Sequence, residues 1–151
     1  MATIDYVGEG TTGHPARDYR KEPYVVKKSV SFATAATTKG SNLVAGDFIQ
    51  VLQIPANTMV IGGGVRITTA TTSTVSTATF DFGNTASVDF IADGFNPEAA
   101  AGYVAVGTNG ALDATRRFAS ADTLNLGLIT APSAGIADGV VTVYAILADI
   151  E

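Results

Sequence analysis

The densest group of side chains that could do chemistry is acidic and lies near the middle of the chain. Its members are Asp81, Asp89, Asp93, Asn96 and Glu98. Calcium prefers oxygen ligands of this kind, so Asp89, Asp93 and Asn96 are candidate ligands for a calcium ion. The ligand spacing of the EF-hand loop is absent, however, and Asp and Asn are also favoured residues of tight turns. The sequence leaves two interpretations open, a calcium site and a set of turns.

Residues for other kinds of catalysis are scarce. The chain has one histidine, His14, and no cysteine, so a catalytic triad or a zinc site has too few members. Residues 62–64 are consecutive glycines, but they lack the lysine and the spacing of a phosphate-binding loop. A pair of carboxylates that cleaves sugars needs a cleft with aromatic side chains, and the chain has no tryptophan. The sequence therefore predicts neither an enzyme nor a bound cofactor.

Charge is unevenly distributed along the chain. The net charge of -5 disfavours nucleic-acid binding, which needs a basic surface. Five of the nine basic residues nevertheless fall between Arg17 and Lys28, ahead of a more acidic remainder. No apolar run approaches the length of a membrane span, and the N-terminus lacks the apolar segment of a secretory signal. These features predict no nucleic-acid partner and no membrane partner.

Residues 1–23 have the composition of a segment outside the core. Glycine, threonine and proline recur there without helical or strand periodicity. A frayed terminus fits this composition, and so does an extended N-terminal arm that becomes ordered against a neighbouring subunit or another protein. The aromatic and apolar residues favour the arm, because a flexible tail has less reason to carry them. The predicted contact residues of the arm are Tyr6, Val7, Arg17, Tyr19, Arg20 and Lys21.

From residue 24 onward the chain has the pattern of short β-strands separated by turns. Phe80 and Phe82 alternate with polar neighbours, and so do Leu124, Leu126 and Leu128. Such alternation is typical of a strand with one buried face. These side chains are therefore predicted to lie in the core.

Four further segments carry specific predictions. The glycines at 62–64 interrupt a strand pattern and predict a bulge, a bend or a close approach of two backbones. Residues 37–42 are predicted to be a loop, and residues 68–79 a polar hairpin tip between two strands. Residues 139–150 are apolar on both faces, which predicts a central strand. No segment predicts more than a single helical turn.

These elements together predict an all-β fold. About eight strands in one domain favour a β-sandwich of jelly-roll-like topology over a seven-stranded immunoglobulin-like one. The predicted organisation is an extended N-terminal arm at residues 1–23 and a single β-sandwich domain at residues 24–151.

Three sequence features together resemble a known family. Residues 54–60 (IPANTMV) lead into a strand that contains glycine and valine, and residues 78–84 (ATFDFGN) end a segment rich in Thr and Ala. The chain then closes on residues 140–149 (VVTVYAILAD). Over residues 47–150 this pattern resembles that of small virion proteins of tailed bacteriophages, the capsid decoration (cement) proteins.

The resemblance implies a structural protein that binds the major capsid protein on the outside of the head shell and stabilises the shell. It also implies a homotrimer, synthesis in the host cytoplasm, a place on the capsid exterior and no catalytic residues. If copies of the chain associate, residues 140–147 and 68–79 are the expected contacts. An alternative function is a fibre or host-recognition module that binds surface glycan.

Overall fold

The structure is a computed structural model that describes residues 1–5, 23–72, 78–102, 104–105 and 116–150. Within these ranges lie ten strands and one helix. The strands are β1 (Thr3–Asp5), β2 (Tyr24–Ser31), β3 (Phe48–Ile54), β4 (Thr58–Thr69), β5 (Thr79–Asn84), β6 (Ser87–Phe95), β7 (Val104–Ala105), β8 (Arg116–Phe118), β9 (Asp122–Thr130) and β10 (Val140–Asp149). The helix is α1 (Phe32–Lys39). No helix in the described ranges is long and apolar enough to cross a membrane.

The strands form two sheets that pack face to face. The β9 sheet has the order β1-β3-β9-β5-β6, and the β10 sheet has the order β2-β10-β4-β7, with β8 also beside β4. Antiparallel pairing is nested: β2 pairs with β10, β3 with β9, β4 with β7 and β8, and β5 with β6. Nested pairs of this kind make a jelly roll. The predicted all-β, jelly-roll-like sandwich is confirmed.

The core lies between the two sheets. Phe80 and Phe82 of β5 are fully buried, as their alternation predicts, and Phe80 stacks on Phe95 with 5.6 Å between the ring centroids. Burying a side chain of this size contributes about 2 kcal/mol to folding. The opposite sheet supplies Val141 and Val143, also fully buried.

The β10 strand is central, as its apolar composition predicts. It pairs with β2 on one side and with β4 on the other. Its buried residues alternate with half-buried ones, so only one face of the strand enters the core. The other face lies on the outside of the sandwich.

A short helix occupies part of the region predicted to be a loop. Ser31 begins α1 by accepting a hydrogen bond from the Thr34 N–H, and Gly40 ends it in the left-handed conformation, with φ of 81°. Phe32 at the start of α1 is fully buried and stacks on Phe80 at 4.8 Å between centroids. The prediction of no helix beyond one turn was wrong, because two caps and one buried aromatic ring suffice to hold this helix.

The glycines of β4 lie where two backbones come close together. Between its pairs with β10, the strand contains two extra residues, Thr68 near its end and Ile61 next to Gly62. A Cβ on Gly63 would lie 2.7 Å from the Tyr144 carbonyl oxygen, closer than side-chain atoms approach a backbone. The structure thus has both the bulge and the close backbone approach that the glycine run predicts.

The strands before and after residues 68–79 do not pair with each other, so the predicted hairpin of these two strands is wrong. The strands on either side, β4 and β5, belong to different sheets. The segment therefore connects the two sheets, and its described residues make contacts outside any hairpin. The Thr72 N–H, for example, donates to Asp138 at 3.0 Å.

The first residues of the chain join the β9 sheet. β1 pairs in parallel with the start of β3, and Ile4 is buried. The predicted arm covers residues 1–23, of which residues 6–22 lie outside the described residues. The arm and the division of the chain at residue 23 stay predictions.

Candidate functional site

The three predicted calcium ligands make separate contacts in the sandwich. Asp89 accepts a hydrogen bond from the Ser87 hydroxyl at 3.3 Å, and Asn96 accepts one from the Glu98 N–H at 2.7 Å. Asp93 lies beside Asp81 instead. Among the described residues, no three acidic, histidine or cysteine side chains are arranged to hold a metal ion. The contacts of Asn96 are those of a turn residue, and a calcium site at these three residues stays a prediction.

Asp81 is the centre of an acidic patch on β5 and β6, which we define as Asp81, Asp89 and Asp93. Asp81 is buried between the core residues Phe80 and Phe82, so its side chain faces away from the core, and one of its oxygens accepts from the Gly94 N–H at 2.8 Å. Burial raises the pKa of Asp81, the Gly94 hydrogen bond opposes that shift, and the neighbouring Asp93 and Asp89 raise the pKa further. Asp81 therefore binds a proton more readily than an ordinary aspartate does.

A second buried carboxylate, Asp47, has cationic and N–H partners. It accepts hydrogen bonds from the Lys39 ammonium at the end of α1, from the Val44 N–H at 2.9 Å and from the Ala2 N–H at 2.9 Å. Burial alone raises the pKa of Asp47, but these donors outweigh burial and hold the pKa below its ordinary value. Asp47 thus links the N-terminal strand, the helix and the start of β3.

Arg116 lies at the side of the sandwich, where its backbone pairs with β4 and its side chain contacts β6. Its guanidinium lies 5.0 Å from the centroid of the Phe90 ring, and it donates to the Asn84 side-chain oxygen at 3.2 Å. Asn84 in turn donates to Asp122 at 2.8 Å. These contacts give Arg116 a structural role, whereas the neighbouring Arg117 is exposed.

The outer side of the β10 sheet contains part of the predicted subunit contact at residues 140–147. Tyr144 and Ile146 of β10 lie half-buried there, and Val25 of the adjacent β2 is 51% exposed. The register aligns Ile146 with Val25 on one side and Gly62 on the other. On this face, apolar side chains of β2 and β10 lie side by side, next to the glycines of β4.

The predicted contact residues of the arm cannot be placed on this framework. Tyr6, Val7, Arg17, Tyr19, Arg20 and Lys21 all lie outside the described residues. Their roles stay predictions.

No family model matches the chain, and no curated protein matches it. Two solved structures share its fold. A chain in the capsid asymmetric unit of cyanophage Pam1 is 16% identical, with a TM-score of 0.62, over 93% of this chain and 94% of that one. A chain in the capsid of Ralstonia phage GP4 is 13% identical, with a TM-score of 0.65, over 99% of both chains. The likeness is one of fold.

Sequence reasoning identified the acidic patch but missed Asp47. Its partners Lys39 and Ala2 are 8 and 45 residues away along the chain. The local pattern of Asp47, after a glycine and before an apolar strand, looks like an ordinary turn. The role of Asp47 depends on contacts between the N-terminal strand, α1 and the start of β3, which the sequence pattern does not show.

Proposed function

We propose that the chain is a structural protein of a tailed-phage virion, a decoration (cement) protein that binds the major capsid protein on the outside of the head shell. The observation that carries the proposal is the likeness of fold to chains in two phage capsids. That likeness spans nearly the whole of each chain in both directions. The resemblance of residues 47–150 to small virion proteins supports the same function independently.

The mechanism is stabilisation by binding. A protein that binds the assembled shell more tightly than its separated subunits favours the assembled form by mass action. Such a protein needs rigid surfaces and no catalytic group. A jelly roll with a filled core and nested strand pairs supplies rigid surfaces. We further propose that the protein acts as a homotrimer on the capsid exterior.

Adding the purified protein to phage heads that were assembled without it tests this function. We expect the protein to sediment with the heads and to raise the temperature at which they release DNA. Sedimentation equilibrium of the free protein should give the mass of a trimer. A protein that stays monomeric at high concentration and does not bind heads would contradict the proposal, and binding to host-surface glycan would support the host-recognition alternative.

A further inference from the structure

The two outer faces of the sandwich carry opposite charge. The outer side of the β10 sheet bears Lys27 of β2, Arg66 of β4 and Arg117 of β8, and all three are exposed. Among the residues that the structure describes, none of the three has an acidic partner. The β9 sheet, on the other side, bears the acidic patch. A chain with a net charge of -5 therefore has one basic face.

This basic face, which we define as Val25, Lys27, Arg66, Arg117, Tyr144 and Ile146, is also partly apolar. The strand register sets Lys27 beside Tyr144, and Tyr144 beside Gly64. Ile146 covers Gly62, where an added Cβ would lie 3.3 Å from the isoleucine Cδ1. Apolar side chains in the middle of a face and charged ones around them are the composition of a protein-binding surface.

We propose that the basic face is the surface through which the chain docks on the head shell, and that the shell presents carboxylates among apolar side chains at this contact. The inference rests on the proposed function. It adds which face of the sandwich binds and what chemistry the partner supplies. Basic side chains that have no acidic partner in the described part of the chain are available to pair with acidic groups of another protein.

The acidic patch of a second copy is the other surface that complements the basic face. The two surfaces lie on the two sheets of one sandwich and face in opposite directions. A contact between two different faces is heterologous, and it closes into a ring only when the two faces are inclined to each other at the angle that the ring needs. Faces that point in opposite directions add copies along a line and do not close into a trimer. A bounded shell component cannot assemble in that way, so we assign the basic face to the shell and the acidic patch to the solvent side.

A pair of charge-matched variants tests the assignment. The face variant is Lys27→Gln with Arg66→Gln, and the control is Val44→Glu with Ile129→Glu, at exposed positions off the basic face. Both variants lower the net charge by the same amount, so a general electrostatic effect weakens them equally. All four side chains are exposed, so we expect thermal unfolding within about 2 °C of wild type.

The measurement is binding of each purified variant to phage heads assembled without this protein. We expect the face variant to bind about 100-fold more weakly and the control within about threefold of wild type. Added salt should weaken wild-type binding more than that of the face variant.

Three results would overturn the assignment. If wild type binds the heads and the two variants bind equally well, the basic face is not the docking surface. If the face variant loses self-association in sedimentation while its binding to heads is unchanged, the face lies between copies. If wild type itself does not bind the heads, the proposed function fails, and this inference fails with it.

Discussion

Asp47 and Asp81 are two buried aspartates with opposite kinds of neighbours. The neighbours of Asp47 are a cation and N–H donors, and those of Asp81 are mainly other carboxylates. Asp47 is 2% exposed and accepts from a lysine and two backbone N–H groups, whereas Asp81 is 7% exposed and has one N–H donor and two acidic neighbours. The pKa of Asp47 is lowered and that of Asp81 is raised. Burial is nearly equal, so the neighbouring groups account for the opposite directions of the two pKa shifts.

The difference separates a structural junction from a patch of like charges. Asp47 holds together three elements that meet at one corner of the sandwich, and its charge contributes to stability. Asp81 keeps a carboxylate where two others repel it, which lowers stability at neutral pH. The first site serves the fold, and the second gives the β9 sheet its acidic character.

The largest expected effect comes from breaking the junction. Asp47→Ala leaves the Ala2 and Val44 N–H groups without their acceptor. It also removes the ion pair of the half-buried Lys39, whose ammonium keeps its hydrogen bond to the Asn42 carbonyl at 2.9 Å. We expect a loss of about 3 kcal/mol in the free energy of unfolding, measured by urea denaturation at pH 7. Asp138→Ala is the control, because Asp138 also accepts from a backbone N–H but does so at the exposed surface. It should lose about 1 kcal/mol. Equal losses would show that Asp47 is no junction.

A smaller effect of opposite sign is expected at the acidic patch. Asp81→Asn removes the repulsion from Asp93 and Asp89 and keeps an oxygen that accepts from the Gly94 N–H. We expect a gain of about 0.5 kcal/mol at pH 7 in the same denaturation experiment, the size of a like-charge contact between strands. Asp81→Ala is the control that removes the hydrogen bond as well, and it should be less stable than Asp81→Asn. A loss on Asp81→Asn would contradict the charge argument.

The smallest effect is a difference in pH dependence between the two sites. The raised pKa of Asp81 adds stability as pH falls through that pKa, because the folded state then binds the proton more tightly than the unfolded chain. The lowered pKa of Asp47 gives stability that is present above about pH 4 and lost as pH falls further.

Thermal unfolding between pH 7 and pH 3 should therefore show a shallow rise in midpoint temperature followed by a fall. Asp81→Asn should remove the rise, and Asp47→Asn should reduce the fall. A rise that persists in Asp81→Asn would mean that another group titrates there.

The sequence predicted the sandwich because its signals are local. Alternating apolar residues such as Phe80 and Phe82 identify a buried face within one strand. The glycines at 62–64 predict a close approach of two backbones, and this prediction does not require knowing which strand is the partner. Eight strand positions and few helix signals then favour a jelly roll.

The errors arise where the outcome depends on distant parts of the chain. α1 contains several threonines and shows no clear periodicity, yet Phe32 secures it by stacking on Phe80 of another strand. The connection at residues 68–79 has the composition of a hairpin tip, but composition does not say which sheet the next strand joins. The basic face escaped notice for the same reason, since Lys27, Arg66 and Arg117 meet only through strand register.

The nested pairing of strands also constrains how the chain can acquire its fold. Val30 of β2 pairs with Val141 of β10, and most of the sequence lies between them. The ribosome releases β2 long before β10. The backbone groups of β2 that pair with β10 therefore have no partner strand until synthesis is nearly complete. Long-range pairings of this kind make folding slow and leave strand edges exposed to other chains. Yield during rapid synthesis will therefore depend on temperature and on chaperone supply more than on the stability of the finished sandwich.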